Sequence, residues 1–254
     1  IPVPTKEGRE IRRAFVAEHG FKLLAIDYSQ VELRLTASIS GDKKMIKAFL
    51  DGADIHTQTA AEINKVSLDN VTSEMRRQAK AINFGVLYGQ GPHGLSEVAN
   101  ISYAEAREFI DVYFSAFNGV KKFIDQIIEK AEEKGYVETL FGRRRYLSDI
   151  NSNNPQIKKA AERMAINAPI QGTAADMIKI AMAKVQDKID KGYEKEVKML
   201  LQVHDELIFE VKENLVEKVS LEIKEIMEQV IKLKVPIVAD VKAGDNWGEM
   251  EALN

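Results

Sequence analysis

The sequence predicts an α+β fold in which a long helical block interrupts a sheet-bearing part of the chain. Three observations support this: short apolar, β-favouring segments lie near both ends, the segments between them repeat apolar residues at helical spacing, and no flexible linker separates the parts. At 254 residues the chain can bury a sizeable core. We therefore expect subdomains that pack against one another.

Composition restricts the class of protein. With 45% hydrophobic and 30% charged residues the chain is typical of globular proteins, and no apolar run reaches the roughly 18 residues of a membrane span. The absence of cysteine excludes disulfides, thiolate metal sites and cysteine nucleophiles. A net charge of −3 argues against non-specific coating of nucleic acid but leaves room for a local basic groove. Because the sequence begins at Ile1 without a signal peptide, we expect a piece of a longer polypeptide.

The first strand is predicted at residues 21–26, FKLLAI. It leads into Asp27-Tyr28-Ser29-Gln30, after which VELRLTASIS has helical spacing. Asp27 therefore stands where a buried strand gives way to a helix. Two interpretations stay open at this point: an acid favoured by the helix dipole, or a functional carboxylate at a strand end.

Residues 42–150 are predicted to be mainly helical. Thr72 caps a helix from Ser73 to about Tyr88, and Ser102 with Glu105 forms a capping box for a later helix. A hairpin of residues 136–140 and 146–150 is expected around FGRRR. This region and the helix after it contain five cations: Arg143, Arg144, Arg145, Lys158 and Lys159. They are interpreted either as a basic patch that binds an acidic partner or as an ordinary solvated face.

The last third combines helices and strands. Pro155 suits a first helical position, and Pro169 is expected to kink or divide the helix that follows. Residues 213–234 repeat apolar positions at helical spacing, and residues 236–241 are predicted as the last strand. Trp247 is expected to be a core or lid residue and not a ligand contact.

The segment at residues 199–211, MLLQVHDELIFEV, predicts a β-hairpin whose tip carries a histidine and two acids. Hairpin tips favour residues that tolerate positive φ, and His and Asp enter that region more readily than most residues. A solvated turn is one interpretation. A strained, charged tip on a stiff apolar support favours a functional site.

Four residues of the predicted helix at residues 73–88 form one stripe at intervals of four: Arg76, Lys80, Phe84 and Tyr88. The stripe is about 18 Å long at 1.5 Å per residue, cationic in its first half and aromatic in its second. A nucleotide has the same polarity, with a triphosphate at one end and a stackable base at the other. The alternative is an amphipathic helix with a basic first turn. Cations near a helix N-terminus oppose the dipole, however, and so need another partner.

The acids at the two strand ends predict a cation site. If Asp27 and Asp205 lie within about 4 Å, their repulsion is on the order of 4 kcal/mol at an effective dielectric of 20. Carboxylates without cysteine fit Mg²⁺, which takes its remaining ligands from water and phosphate. Two such ions support in-line phosphoryl displacement. A magnesium-dependent phosphatase or nuclease would explain the acids, but not the stripe or Glu32.

Three segments resemble the polymerase motifs of family A DNA polymerases, similar to bacterial DNA polymerase I: DYSQVELR (27–34), RRQAKAINFGVLYG (76–89) and LQVHDE (201–206). QGTAAD (171–176) and residues 135–150 also resemble this family. The resemblance implies a palm with an antiparallel β-sheet at residues 1–43 and 151–254, and mostly helical fingers at 44–150. The family's thumb, proofreading and 5′-nuclease domains lie outside the match, so we expect weak primer–template binding and little processivity from this segment alone.

The resemblance also implies roles for individual residues. Asp27 and Asp205, with the Tyr28 carbonyl, would hold two Mg²⁺ ions, and Glu206 would be a nearby acid. A further hypothesis is that Lys80 donates a proton to the pyrophosphate leaving group. Glu32 would be a steric gate that selects deoxynucleotides. The nucleotide would also contact His56, Arg76, Lys80, Phe84 and Tyr88. Primer–template contacts would come from Arg163, Asn167, Gln171 and His204.

The resemblance implies template-directed addition of deoxynucleotides to a primer 3′-hydroxyl with pyrophosphate release. The partners would be primer–template DNA and deoxynucleoside triphosphates, with no membrane, and the protein would be a monomer. A location in the bacterial cytoplasm and nucleoid, or in an organelle of bacterial origin, would follow. The alternative is a palm-and-fingers fragment that binds nucleotide or nucleic acid without turnover.

Overall fold

The structure is a computed structural model that describes residues 6–253. Its largest sheet has five antiparallel strands in the order β4-β5-β1-β6-β7, and a two-stranded sheet pairs β2 with β3. The strands are β1 (Phe21–Tyr28), β2 (Tyr136–Glu138), β3 (Arg144–Tyr146), β4 (Val197–Val203), β5 (Glu206–Lys212), β6 (Ala239–Gly244) and β7 (Glu251–Ala252). Together with the helices below, they confirm the predicted α+β class.

The helices begin where the sequence supplies caps. Thr72 accepts from the Met75 amide, and the capping box of Ser102 and Glu105 is complete, as predicted. The helices are α1 (Lys6–Arg13), α2 (Val31–Ser40), α3 (Lys43–Leu50), α4 (Ile55–Asn64), α5 (Ser73–Leu87), α6 (Pro92–Ala99), α7 (Tyr103–Ala116), α8 (Asn118–Lys134), α9 (Pro155–Gly192) and α10 (Val216–Glu228).

The chain divides into two compact units. Among the described residues the first unit comprises 6–31, 175–232 and 237–253, and the second comprises Glu32–Ala174 with Leu233–Pro236. The five-stranded sheet belongs to the first unit, and α3 to α8 belong to the second. The assignment of palm and fingers to 1–43, 44–150 and 151–254 stays a prediction.

The core of the first unit lies between the sheet and α10. Leu24, Ile26 and Phe209 are fully buried on one face of the sheet, and α10 packs on strands β1, β5 and β6. Val219 and Ile223 are the buried members of the predicted helical stripe. This face fixes the register of the strands, because a slip by one residue would expose its apolar side chains.

The structure corrects three local predictions. α9 is one continuous helix through Pro169, so the predicted division of this helix is wrong. An internal proline costs roughly 3 kcal/mol, and the burial of apolar side chains on both sides of Pro169 offsets that cost. The last long strand begins at Ala239, three residues after Pro236, because proline cannot donate to a strand ladder. In the small hairpin, Tyr146 ends β3 instead of starting a strand.

None of the helices within residues 6–253 combines the length and the apolar character that a transmembrane segment requires.

Candidate active site

The hairpin of β4 and β5 forms as predicted, but its turn is one residue shorter than the predicted tip of His204, Asp205 and Glu206, because Glu206 already belongs to β5. Val203 stands opposite Glu206, so His204 and Asp205 form the turn. His204 has φ +55, the left-handed conformation that the sequence predicted for this tip. The Tyr28 amide donates to the Asp205 carbonyl at 3.2 Å. The turn is therefore tied to the end of β1, where Asp27 lies.

Three acids form a row across the first unit's sheet. Asp27 on β1 stands opposite Glu206 on β5 and, on its other side, opposite Asp240 on β6. Directly opposed residues of antiparallel strands share a face, and like charges in such pairs destabilise a sheet. We call Asp27, Glu206 and Asp240 the carboxylate row. Repulsion among these three carboxylates destabilises the sheet, and a bound cation would reduce that repulsion.

The protonation equilibria of these acids reflect the crowding. Partial burial, followed by the charges of Glu206 and Asp240, raises the pKa of Asp27 to about 6, against the weaker opposing effects of Lys242 and His204. Burial and then the charge of Asp27 raise the pKa of Asp205. The structure therefore places Asp27 and Asp205 close enough to interact electrostatically, and their sharing of a cation stays a prediction.

Tyr28 is anchored between these acids and the core. Its phenol is buried and donates to the Met227 carbonyl of α10 at 2.8 Å, and burial raises its pKa far above the ordinary value. With its amide bonded to Asp205 and its phenol to Met227, Tyr28 is held at its backbone and at the end of its side chain. The residue is thus a rigid element beside the two aspartates.

Asp240 and its neighbour Lys242 were not predicted from the sequence. Both lie on β6, and with Asp27, Glu206 and Lys224 they line a cavity of about 300 Å³. The alternation of Ala239, Asp240, Val241 and Lys242 places the two charged residues on one strand face. That signal was present in the sequence. The pairing of β6 with β1 was not, because no local pattern specifies which distant strands are neighbours.

The donor set fits a hard divalent cation that keeps ligands from water and substrate. Within residues 6–253 no group of three or more histidine, cysteine, aspartate or glutamate residues is arranged to hold a metal alone. Mg²⁺ is commonly held by one or two carboxylates together with water and phosphate oxygens. Asp27, Asp205 and the Tyr28 carbonyl supply oxygen donors of that kind.

The predicted stripe lies on α5 in the second unit. Arg76 and Lys80 are exposed, and Phe84 and Tyr88 are half-buried, with Tyr88 as the C-cap residue. The Phe84 and Tyr88 rings are stacked at 6.2 Å with an interplanar angle of 25°. The helix therefore presents charge at one end and flat aromatic surface at the other. We call these four residues the α5 stripe.

Asp54 is the partner that the cationic end of α5 needs. Arg76 Nε donates to Asp54 Oδ2 at 3.1 Å, and Nη2 donates to the same oxygen at 2.5 Å. Asp54 also caps α4 by accepting from the Thr57 amide at 2.9 Å. Burial acts to raise the pKa of Asp54, but the bonds from Arg76 and Thr57 outweigh it and the pKa lies below its ordinary value. Arg76 is thus held in a defined orientation.

His56 is buried and uncharged beside the stripe. Asn83 Nδ2 lies 3.1 Å from His56 Nδ1, and the His56 ring centroid lies 5.9 Å from that of Phe84. An amide nitrogen can only donate, so Nδ1 accepts and the ring proton belongs on Nε2. Burial lowers the pKa of His56 to about 4; Asp54 acts to raise it, and Arg76 and Lys80 to lower it. The residue can therefore donate one hydrogen bond to a phosphate but contributes no charge at neutral pH.

Glu32 lies beside the aromatic end of the stripe. The Tyr88 phenol donates to Glu32 Oε2 at 2.7 Å. Glu32 is in the first turn of α2, and Tyr88 follows the last residue of α5. The bond fixes the direction of the Glu32 carboxylate relative to the stacked rings.

The residues predicted to contact primer–template lie on α9 within the second unit. Arg163, Asn167 and Gln171 follow one another at intervals of four and so share a helix face. A Cβ added to Gly89 would lie 3.2 Å from Arg163 Cγ, so the residue after Tyr88 packs closely on this face. Asn167 Oδ1 is buried and has no hydrogen-bond partner within the described part of the chain. Such an atom is suited to bind an external donor.

The predicted basic patch is partly neutralised. Arg144 Nε lies 3.0 Å from Glu138, and Lys158 Nζ lies 2.7 Å from Glu132. Arg145 instead contacts the sulfur of Met164 at 3.7 Å. Paired, exposed cations have less charge to offer a phosphate backbone, so this patch is a weaker candidate than the α5 stripe.

The predicted residues divide between the units. The first unit contains Asp27, Tyr28, His204, Asp205 and Glu206. The second contains Glu32, His56, Arg76, Lys80, Phe84, Tyr88, Arg163, Asn167 and Gln171.

Comparison with known proteins gives a consistent result. The profile of DNA polymerase family A matches residues 1–249. DNA polymerase I of Streptococcus pneumoniae is 52% identical over 253 residues, which cover 98% of this chain and 28% of that polymerase. The thermostable DNA polymerase I of Thermus aquaticus is 49% identical over 247 residues, covering 97% of this chain and 29% of the relative. The chain thus spans less than a third of the length of these curated relatives.

A solved structure shares the fold. The POL domain of Pol1 from M. smegmatis, in complex with DNA primer-template and dNTP, superposes with a TM-score of 0.92 at 42% identity. The match covers 98% of this chain and 44% of that one.

Proposed function

The chain belongs to DNA polymerase family A, and from that premise we propose that it adds deoxynucleotides to a primer 3′-hydroxyl under the direction of a template. The observation that carries this proposal is the meeting of Asp27 and Asp205 where β1 ends and the β4–β5 hairpin turns. In the reaction the primer 3′-oxygen bonds to the α-phosphorus of the nucleotide, and the bond from that phosphorus to pyrophosphate breaks.

The second unit binds the nucleotide in this proposal. Arg76 and Lys80 contact the triphosphate, and the Nε2–H of His56 donates to a phosphate oxygen. Phe84 packs against the incoming sugar and base, and Tyr88 lies by the templating base. The order of charge and aromatic surface along α5 supports these roles, because it matches the order of groups in a nucleoside triphosphate.

Glu32 selects deoxynucleotides in this proposal by crowding a ribose 2′-hydroxyl. Its hydrogen bond to Tyr88 supports the role, because a gate must hold a fixed position to reject one added oxygen.

The first unit provides the acids. Asp27, Asp205 and the Tyr28 carbonyl would hold two Mg²⁺ ions. When bound, such ions neutralise phosphate charge and favour in-line displacement. Glu206 is a further acid beside them, and His204 lies by the primer end. The raised pKa values of Asp27 and Asp205 support a cation site, because burial and neighbouring carboxylates disfavour their charged forms and a bound positive charge would offset both effects.

Lys80 has a second proposed role as the proton donor to the pyrophosphate leaving group. It is exposed on α5, one turn from Arg76. If Lys80→Arg left the single-turnover rate and its solvent isotope effect unchanged, this role would be wrong.

Primer–template contact near the reacting end is assigned to Arg163, Asn167 and Gln171. The unpartnered Asn167 Oδ1 supports the assignment, since a buried acceptor without a partner costs about 1–3 kcal/mol unless a ligand satisfies it.

Primer extension by the 254-residue chain tests the proposal. We expect incorporation of templated deoxynucleotides with Mg²⁺ and none from Asp205→Ala. The alternative, a fragment that binds without turnover, predicts a primer–template mobility shift or nucleotide binding and no extension by either protein. Equal extension by the parent and Asp205→Ala would contradict both the site and the mechanism.

A further inference from the structure

Trp247, the sole tryptophan of the chain, lies beside the carboxylate row of the first unit. It is 7% exposed and packs in a cluster with Ala25 and Ile208. Its amide donates to the Phe15 carbonyl at 3.0 Å, and the two rings meet edge to face at 5.7 Å. The sequence predicted a core or lid residue, and burial confirms the first of these.

Strand register places the indole on the same face of the sheet as Glu206. Ala25 stands two residues before Asp27 on β1, and Ile208 two residues after Glu206 on β5. Residues two apart on a strand share a face. Trp247 therefore covers the face of the sheet that carries Asp27 and Glu206. It lies over the pair Ala25 and Ile208, which is the next pair on that face.

The indole N–H of Trp247 lacks a hydrogen-bond acceptor in the described part of the chain. Nε1 is buried and makes no hydrogen bond within residues 6–253. A buried donor without an acceptor costs about 1–3 kcal/mol. The next side-chain acceptor along this face of the sheet is the half-buried Glu206 carboxylate.

Arg12 completes the arrangement. Its guanidinium carbon lies 4.1 Å from the centroid of the Trp247 ring, a cation–π contact. The same positive charge also acts electrostatically on the Glu206 carboxylate. A cation stacked on the indole and an N–H at the edge of the same ring therefore act on one carboxylate.

We propose that Trp247 and Arg12 are positioning residues for Glu206: when the Glu206 side chain turns towards the indole, its carboxylate accepts from the unpartnered N–H while Arg12 balances its charge. The inference rests on the proposed function for its effect on catalysis, since Glu206 is the acid adjacent to Asp205. It extends that function to two residues from the ends of the chain. Their task is to direct an acid that would otherwise be repelled by the rest of the carboxylate row.

The first test needs no catalytic activity. Because the chain has one tryptophan, its ¹⁵N-labelled form gives one indole N–H resonance. We expect Glu206→Gln to move this resonance clearly more than Asp240→Asn does, a matched acid-to-amide change in the same row but two strands away. An equal or smaller response to Glu206→Gln would overturn the proposal, whether or not the chain polymerises.

The second test is a double-mutant cycle. Trp247→Phe keeps a ring for packing and for Arg12 but removes the N–H. We expect kcat to fall about tenfold with the nucleotide KM changed less than about twofold, and less than about twofold further loss when Glu206→Gln is already present. Independent, multiplying losses would overturn the proposal, as would a kcat equal to that of the parent.

Arg12 is tested with a charge-preserving control. Arg12→Met should lower kcat, and Arg12→Lys should restore part of the loss, because it keeps the charge beside Glu206. Equal activity of the two variants would contradict a role for the charge. If the unsubstituted chain fails to extend a primer, the proposed function fails, and the indole resonance still decides the inference about Glu206.

Discussion

The phenol of Tyr88 donates a hydrogen bond of 2.7 Å to the carboxylate of Glu32, which precedes it by 56 residues. The bond connects the first turn of α2 with the end of α5. One residue is the proposed gate against ribonucleotides and the other the last member of the α5 stripe. In the proposed function this single contact would couple selectivity for the sugar with recognition of the base.

Removing the gate should relax sugar selectivity. We expect Glu32→Ala to reduce the preference for deoxynucleotides by about 100-fold, because a crowding carboxylate is replaced by open space. Tyr88→Phe, which keeps the ring and removes only the hydroxyl, should reduce it by about tenfold through loss of one charge-assisted hydrogen bond. The measurement is the ratio of kcat/KM for matched deoxy- and ribonucleotides. Unaltered selectivity in Glu32→Ala would count against the gate.

Two adjacent arginines of α5 offer a matched comparison. Arg76 is oriented by Asp54, whereas Arg77 pairs with Glu74 on its own helix. Arg76→Ala should raise the nucleotide KM by about tenfold or more, since one phosphate contact of roughly 1.5–3 kcal/mol is lost. Arg77→Ala should change it less than about twofold. Equal effects of the two substitutions would show that general charge, and not the stripe, attracts the nucleotide.

His56 makes stability depend on pH. Its folded pKa of about 4 lies below its ordinary value of 6.5, so between these values the unfolded chain binds a proton that the folded chain does not. Its contribution is complete above pH 6.5 and is lost as the pH falls towards 4, up to about 3 kcal/mol. Urea unfolding of the parent and of His56→Gln should show a smaller pH dependence in the variant over this window. Parallel profiles would contradict the assignment.

The carboxylate row predicts a trade between stability and cation binding. Without divalent ions, Asp27→Asn should raise the Tm by about 2 °C, because replacing a charge opposed by Glu206 and Asp240 relieves about 1 kcal/mol of screened repulsion. Mg²⁺ should raise the Tm of the parent and not that of the variant. Calorimetry in chelator and in magnesium measures both effects. A lower Tm for Asp27→Asn in chelator would mean that the row is not repulsive.

Local features of the site were predictable from the sequence. The α5 stripe, its Thr72 cap and the positive φ of His204 follow from residue type and spacing within a few positions. The burial of Trp247 follows from its apolar surface. Each of these depends on interactions that the neighbouring residues determine.

Non-local features were not predictable in the same way. Asp240 joins the row only because β6 pairs with β1 across more than two hundred residues, and the register is set by burial of the opposite face. The pair of Asp54 and Arg76 depends on how α4 packs against α5. Arg12 stacks on Trp247 from the other end of the chain. Pairings of this kind depend on tertiary packing, which spacing within one segment does not encode.

The most direct measurement is anomalous scattering from crystals of the chain soaked in Mn²⁺ with primer–template and a non-hydrolysable deoxynucleotide. The account predicts manganese bound by carboxylate oxygens of both Asp27 and Asp205. Manganese bound elsewhere, with these two side chains directed away from each other, would contradict it.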